Sequence, residues 1–213
     1  MDSDGLPSLP RGRHKLTREQ VAASQRERLL QGMTHAAGEK GYARTSVADV
    51  LKRARVSRET FYENFADKQA CFLAAYEASA ERYLRTVDEA LAADGPVMAR
   101  LERALRGFLR ELAADASAAR TFLVEIYAVG PAATVPRYRV LDGFIETIDG
   151  LLAEDERFRA LPDPEFAVRM LVGGIASLVT AQVAMGRHAS LPKLSAPILT
   201  HVKSLLGQNH VRT

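Results

Sequence analysis

The sequence predicts an all-α protein in which a small N-terminal helical unit is joined by a long helix to a larger helical body. Three observations carry this. From Thr17 onward apolar residues recur at helical spacing, with no alternating β-branched run of useful length. Capping signals open several of these segments: Ser46 with Asp49 three residues on, then Ser57 and Asp67. Helix-breaking pairs and turns divide the rest at Gly95-Pro96, Gly130-Pro131, Leu161-Pro162-Asp163-Pro164 and Leu191-Pro192.

The first sixteen residues contain Gly5, Pro7, Pro10 and Gly12 beside Arg11, Arg13, His14 and Lys15, and read as a flexible basic arm. Such an arm can track phosphates or enter a minor groove, or have no role. A first helix is expected from about Thr17 to Lys40, with Leu29, Met33, Ala36 and Ala37 on one face and Gly41 as its C-terminal cap. Val47, Val50, Leu51 and Ala54 define a short second helix behind the Ser46–Asp49 capping box. Ser57 caps a third whose Phe61 and Phe65 share a face. Asp67 caps a long fourth helix to about Ala90, carrying Phe72, Leu73, Tyr76, Tyr83, Leu84 and Val87. Further helices are expected over about 97–114, 117–128, 136–154, 165–186 and 193–206. The segment 165–186 is apolar almost all round and needs burial on more than one side. The implied units are a basic arm (1–16), a three-helix helix-turn-helix unit (17–66) and a helical body (67–213).

Charge is distributed unevenly between these units. Residues 11–58 hold twelve lysines and arginines against four acids (Glu19, Glu27, Glu39, Asp49), whereas residues 59–213 are mildly acidic. A cationic segment on an acidic body points to a polyanion partner, because each phosphate neutralised releases condensed counterions. A solvated charged face is the alternative. The 213 residues, 47% hydrophobic and 26% charged, fit a globular protein rather than a disordered one. No uninterrupted apolar stretch of membrane-spanning length is read, and the N-terminus does not resemble a secretory signal, so a cytoplasmic location is expected. The single cysteine, Cys71, cannot form an internal disulfide. It reads as a small buried residue, with redox sensing as the alternative.

Enzymatic chemistry finds little support. The five histidines (His14, His35, His188, His201, His210) form no HExxH or other close metal pair, and no Gly-rich phosphate loop or Gly-x-Ser-x-Gly turn occurs. No metal, cofactor or catalytic residue is expected. DNA recognition finds more. With Phe61 and Phe65 turned inward, a 100° step per residue places Glu59 and Glu63 almost opposite, flanked by Arg58, Thr60 and Tyr62. Arg58 can donate a bidentate pair to guanine, Thr60 can meet a base or phosphate, and Glu59 can accept from cytosine N4 or orient Arg58. Thr45, at the start of the second helix, can join its hydroxyl to the helix N-terminus on a phosphate; Tyr62 and Lys68 can hold the backbone. Ser57 and Asn64 complete the candidate DNA-binding set, whose alternative is a solvent-exposed helix face.

The runs Gly41-Tyr42-Ala43-Arg44-Thr45-Ser46-Val47-Ala48-Asp49-Val50 and Ala54-Arg55-Val56-Ser57-Arg58-Glu59-Thr60-Phe61-Tyr62-Glu63-Asn64-Phe65-Ala66-Asp67-Lys68 resemble the DNA-binding signature of the tetracycline-repressor (TetR) family. The resemblance covers about residues 24–75, and it departs at Arg55, where the family usually has glycine in the turn. It implies a dimeric regulator, most simply a repressor, that binds a palindromic DNA operator and is released by a small-molecule inducer. Inside the body it implies an apolar pocket, for which Phe108, Phe122, Glu125, Ile126, Tyr127, Phe144 and Met170 are candidates. It implies a homodimer through the last two long helices, for which the candidates are Phe166, Met170, Gly173, Gly174, Ser177, Leu178, Leu199 and Val202. Ligand binding is expected to move the fourth helix and so change the separation of the third helices. A ligand-binding or scaffold protein with degraded DNA recognition, or an all-helical enzyme, is the alternative.

Overall fold

The structure, a computed structural model, describes residues 17–207; the basic arm expected over residues 1–16 lies outside them. Ten α-helices make up the described chain: α1 (Arg18–Lys40), α2 (Val47–Ala54), α3 (Arg58–Asn64), α4 (Lys68–Ala92), α5 (Val97–Ala114), α6 (Ala116–Leu123), α7 (Thr134–Leu152), α8 (Glu156–Arg159), α9 (Pro164–Ala184) and α10 (Ser195–Gly207).

Most helix starts are fixed locally. Thr17 and Gln20 form a capping box on α1, Ser46 and Asp49 form another on α2, and Ser57, Asp67, Asp115 and Asp163 each accept an amide at the start of α3, α4, α6 and α9. Gly41, at φ 84°, ends α1 where a side chain would be strained.

Three elements differ from expectation. The helix expected over 117–128 stops at Leu123 and tightens into 3-10 turns at Glu125–Val129 and Pro131–Ala133, divided by Gly130 at φ 86°. The segment before α10 winds as 3-10 over His188–Leu194, where Pro192 has no amide to donate to an α-helical ladder. The one-turn helix α8, capped by Asp155, had too short an apolar pattern to be anticipated.

The N-terminal unit packs α1, α2 and α3 around Leu29, Met33, Ala37, Val50, Phe61 and Phe65, and is closed by Phe72 from the start of α4. Full burial of a side chain such as Phe61 contributes about 3 kcal/mol or less. In the body α4 lies against α5 and α7, while α9 lies against α6 and α7. Tyr83 is fully buried there, with its ring 4.8 Å from Phe122 and 5.9 Å from Phe108.

The two units meet along a seam between α1 and α6. Gly38 lies so close to α6 that a Cβ there would stand 2.1 Å from the Ser117 carbonyl oxygen. One turn along the seam the buried Thr121 hydroxyl donates to the Thr34 carbonyl at 2.6 Å. The backbones touch there because Gly38 has no side chain and the Thr121 hydroxyl is paired.

Helix α9 is long and apolar enough to cross a membrane by length and composition, although Glu165 and Arg169 interrupt its apolar run. Val168, Val172, Val179 and Val183 face the body, whereas Phe166, Met170, Leu178 and Met185 stand exposed.

Candidate nucleic-acid interface and body cavity

Recognition depends first on how α3 is presented. Between α2 and α3 the chain reverses through Arg55, which adopts the left-handed conformation (φ 53°, ψ 47°) that glycine would take without strain. Its amide donates to the Leu51 carbonyl at 2.9 Å, so the turn is tight and α3 begins at once. Ser57 Oγ accepts the Thr60 amide at 3.0 Å and lies 2.9 Å from Thr60 Oγ1, so both hydroxyls are engaged in holding the start of α3.

On the face away from Phe61, Arg58, Glu59 and Tyr62 project outward; Tyr62 is half exposed, with its ring 5.3 Å from Phe61. None of the three makes a hydrogen bond or ion pair among the described residues. They are free to meet a partner. Asn64 is partly turned in, its Nδ2 donating to the Thr60 carbonyl at 2.8 Å. Lys68 is held rather than free: Nζ donates to the Tyr42 carbonyl at 3.0 Å and stands 4.2 Å from the Tyr42 ring centroid. Tyr42 itself packs on α4, edge to face with Phe72 at 4.8 Å.

Thr45 does not fill the role expected of it. Its side chain is buried, and the hydroxyl donates inward to the carbonyls of Ala36 (3.1 Å) and Gly41 (2.9 Å). The α2 N-terminus is capped by Ser46 instead, and a β-branched residue directly before the cap was free to turn into the core. Asp49 closes that cap; the Lys40 ammonium, then the Ser46 hydroxyl and amide, hold its carboxyl well below the usual range.

Pairing also sorts the basic residues. Lys40 is bound to Asp49 and Arg53 to Glu39, which removes them as free cations. Lys52, Arg55 and Arg58 are without a carboxylate partner among the described residues, and Lys52 and Arg55 are exposed beside the turn. Their place in the last turn of α2 and in the connection to α3 adds two exposed cations beside α3 that the candidate set does not include.

The body holds a partly open cavity of about 190 Å3 between α4, α5, α7, α9 and α10, with the α6 end and the following 3-10 turn on its wall. Phe108, Phe122, Ile126, Tyr127 and Phe144 line it as expected. Glu125 and Met170 do not. Glu125 points the other way, across the seam: it is buried, accepts the Tyr42 amide at 2.8 Å and pairs with Arg120 at 2.8 Å. Its neighbours Ile126 and Tyr127 reach the cavity because the 3-10 turn sends successive side chains to different sides. Met170 lies on the outer face of α9.

Leu199 and Val202, expected at a subunit interface, are buried and line the same cavity. Helix α10 has apolar residues on its inner side, while Ala196, Pro197, Thr200, His201, Lys203 and Ser204 face out. Phe166, Met170, Gly174, Ser177 and Leu178 are exposed on α9, and Gly173 is part-buried; a Cβ at either glycine would meet nothing within 4 Å. Cys71 is buried, and burial pushes its thiol up to about 12, which keeps it protonated and unreactive at neutral pH. Among the described residues no group of three His, Cys, Asp or Glu side chains can hold a metal.

Residues 30–75 match the family model described as bacterial regulatory proteins, tetR family. No curated protein gives a significant match to the sequence. Among solved structures, the fatty acid degradation regulator FadR from Bacillus halodurans superposes with a TM-score of 0.76 at 22% identity, covering 86% of this chain and 95% of that one. FadR from Bacillus subtilis, in complex with stearoyl-CoA, gives 0.73 at 18% identity, covering 85% and 97%. SmeT, the repressor of the Stenotrophomonas maltophilia multidrug efflux pump SmeDEF, gives 0.67 at 18% identity, covering 82% and 86%. The helix-turn-helix unit thus matches the tetR-family model of bacterial regulatory proteins, and the chain shares the fold of these solved structures.

Proposed function

We propose that this protein is a ligand-responsive transcriptional regulator, a repressor that binds a palindromic operator as a homodimer and leaves it when a small molecule enters the body cavity. The observation that carries this reading is the pairing of an unencumbered recognition face (Arg58, Glu59, Tyr62) with an apolar cavity, joined by the α1–α6 seam. Arg58 takes a guanine edge, Glu59 a cytosine amine or the Arg58 guanidinium, and Tyr62 a phosphate or base. Lys52 and Arg55 add phosphate contacts.

Two identical recognition helices must enter successive major grooves about 34 Å apart. The exposed apolar face of α9 supplies the contact between subunits, since Phe166, Met170 and Leu178 otherwise remain in water. Ligand shifts a population: it favours a body conformation in which the α6 end and α4 have moved, and the recognition helices lose their spacing. Both elements reach the N-terminal unit at Tyr42, α6 through Glu125 bonded to its amide and α4 through Lys68 bonded to its carbonyl.

Selection of bound sequences from a random DNA pool tests the reading. Enrichment of a palindrome is expected, with affinity falling steeply as salt rises. The double variant Arg58→Ala, Tyr62→Ala should lose about 10- to 100-fold in affinity for it with unchanged helicity. A pool that yields no palindrome, or a double variant that binds as tightly as the parent, removes DNA recognition from the account.

A further inference from the structure

The wall of the body cavity carries one charged side chain. Arg137, from α7, lines it; no aspartate or glutamate does, and nearly all other lining residues are apolar. The arginines around it are paired with carboxylates: Arg82 with Glu111, Arg100 with Glu154, Arg120 with Glu125, and Arg139 with Glu77. Arg137 has no such partner among the described residues. Its Nη2 donates to the Tyr127 hydroxyl at 2.8 Å, and its guanidinium lies 3.9 Å from the centroid of the same ring. Held only by a phenol and a π face at the exposed mouth of the cavity, where Tyr127 is more than half exposed, the guanidinium keeps unused donors that an incoming anion can take.

The surroundings complete a receptor for such an anion. Tyr127 accepts from Arg137, which leaves its own hydroxyl proton to donate elsewhere. Tyr76, also on the wall, is buried, and burial pushes its phenol up, so it too remains a neutral donor. A cationic ligand meets a like charge with no compensating acid. A neutral hydrocarbon leaves Arg137 as it is. The rest of the cavity, lined by Phe108, Phe144, Leu105 and Ile175, accepts only apolar bulk. At about 190 Å3 the cavity takes a short hydrocarbon chain.

We propose that the effector is an amphiphilic anion: a hydrocarbon chain fills the cavity, and an anionic head, carboxylate or phosphate, sits on Arg137 with Tyr127 and Tyr76 donating to it. This rests on the cavity being the effector site. The head can belong to the free acid or to a phosphate-bearing carrier in thioester linkage to the chain.

Calorimetric titration of the full chain with octanoate, octanoyl-CoA, octanol and octyltrimethylammonium tests the assignment. Octanoate, octanoyl-CoA or both should bind about tenfold or more tightly than octanol, a charge-assisted hydrogen bond being worth that much, and octyltrimethylammonium least. Octanoate binding identifies the free acid as the source, and octanoyl-CoA binding alone identifies the carrier. Arg137→Gln should abolish the preference for the anion while leaving octanol and operator binding unchanged. Equal binding of octanoate, octanoyl-CoA and octanol, failure of both anions to bind, or a preference retained in Arg137→Gln overturns the proposal. If an anion binds as stated yet leaves operator affinity unchanged, the ligand class stands and the release reading falls. If a neutral or cationic compound releases the operator while neither anion binds, the ligand class falls alone.

Discussion

At Arg55 the backbone takes a conformation that costs an L-residue about 1–2 kcal/mol relative to the right-handed alternative. Glycine would avoid that cost, but it would also remove an exposed cation beside the recognition helix and a positive charge at the C-terminus of α2. Arg55→Gly should therefore raise unfolding stability by about 0.5–1 kcal/mol in denaturant titration. It should also lower operator affinity, with a salt slope shallower by about one phosphate contact. A variant that gains stability without losing salt dependence would place Arg55 away from the DNA.

Asp49 is a residue whose role changes with pH. Its folded pKa is depressed, first by the hydrogen bond from Lys40 and then by those from Ser46, so its contribution is present above the unfolded value of about 4. That contribution fades as pH falls below the unfolded value toward the folded one. Asp49→Asn should accordingly be less stable than the parent at pH 7, and the difference should close on acidification. Urea midpoints measured between pH 7 and pH 2 check this; a difference independent of pH would mean the carboxylate charge contributes nothing.

Among the elements, α6 with its 3-10 extension has two opposed faces. Phe122, Ile126 and Tyr127 look into the cavity, while Ser117, Thr121 and Glu125 hold α1 and Tyr42. Displacing one face must disturb the other, because close-packed segments shift rather than stretch. Glu125→Ala leaves the Tyr42 amide without its acceptor and Arg120 without its partner, and should cost about 1–3 kcal/mol. Hydrogen exchange at the Tyr42 amide should quicken more than at core amides of α4. Unchanged protection at Tyr42 would show that the seam does not depend on this carboxylate. Gly38→Ala acts at the same seam through contact with the Ser117 backbone, which cannot rotate away as a side-chain end could.

The local elements were legible because their determinants lie within four residues of one another. The Ser46–Asp49 box, the Ser57 cap, the Asp67 cap and the Gly41 stop are all found where spacing placed them. The direction of Thr45 was not, since a hydroxyl before a cap serves equally as a phosphate ligand or a buried donor. Glu125 stands alone as an acid in the apolar run 122–127, but its partner Tyr42 is 83 residues away, a distance over which periodicity carries no information.

For the whole molecule the decisive feature is the outer face of α9. Met170→Glu with Leu178→Glu places two charges on that face without touching the valines that face the body. Sedimentation should show the parent as a dimer and the double variant as a monomer of unchanged helicity, with operator affinity lost because one recognition helix cannot span two grooves. A double variant that remains dimeric would move the interface off α9.

The amino-acid sequence by itself determined the all-α class, the order and approximate extent of the long helices, and the three-helix unit with Arg58, Glu59 and Tyr62 on its outer side. These follow from capping chemistry and from the 3.6-residue repeat, both of which act within a few turns. Only the tertiary structure decided which apolar faces meet inside the chain: Leu199 and Val202 turned to the cavity, Met170 stayed on the surface, and Arg137 came to its wall. A helix that is apolar nearly all round, as α9 is, does not encode which side packs on its own chain. That choice is made by where α5, α6 and α7 leave room.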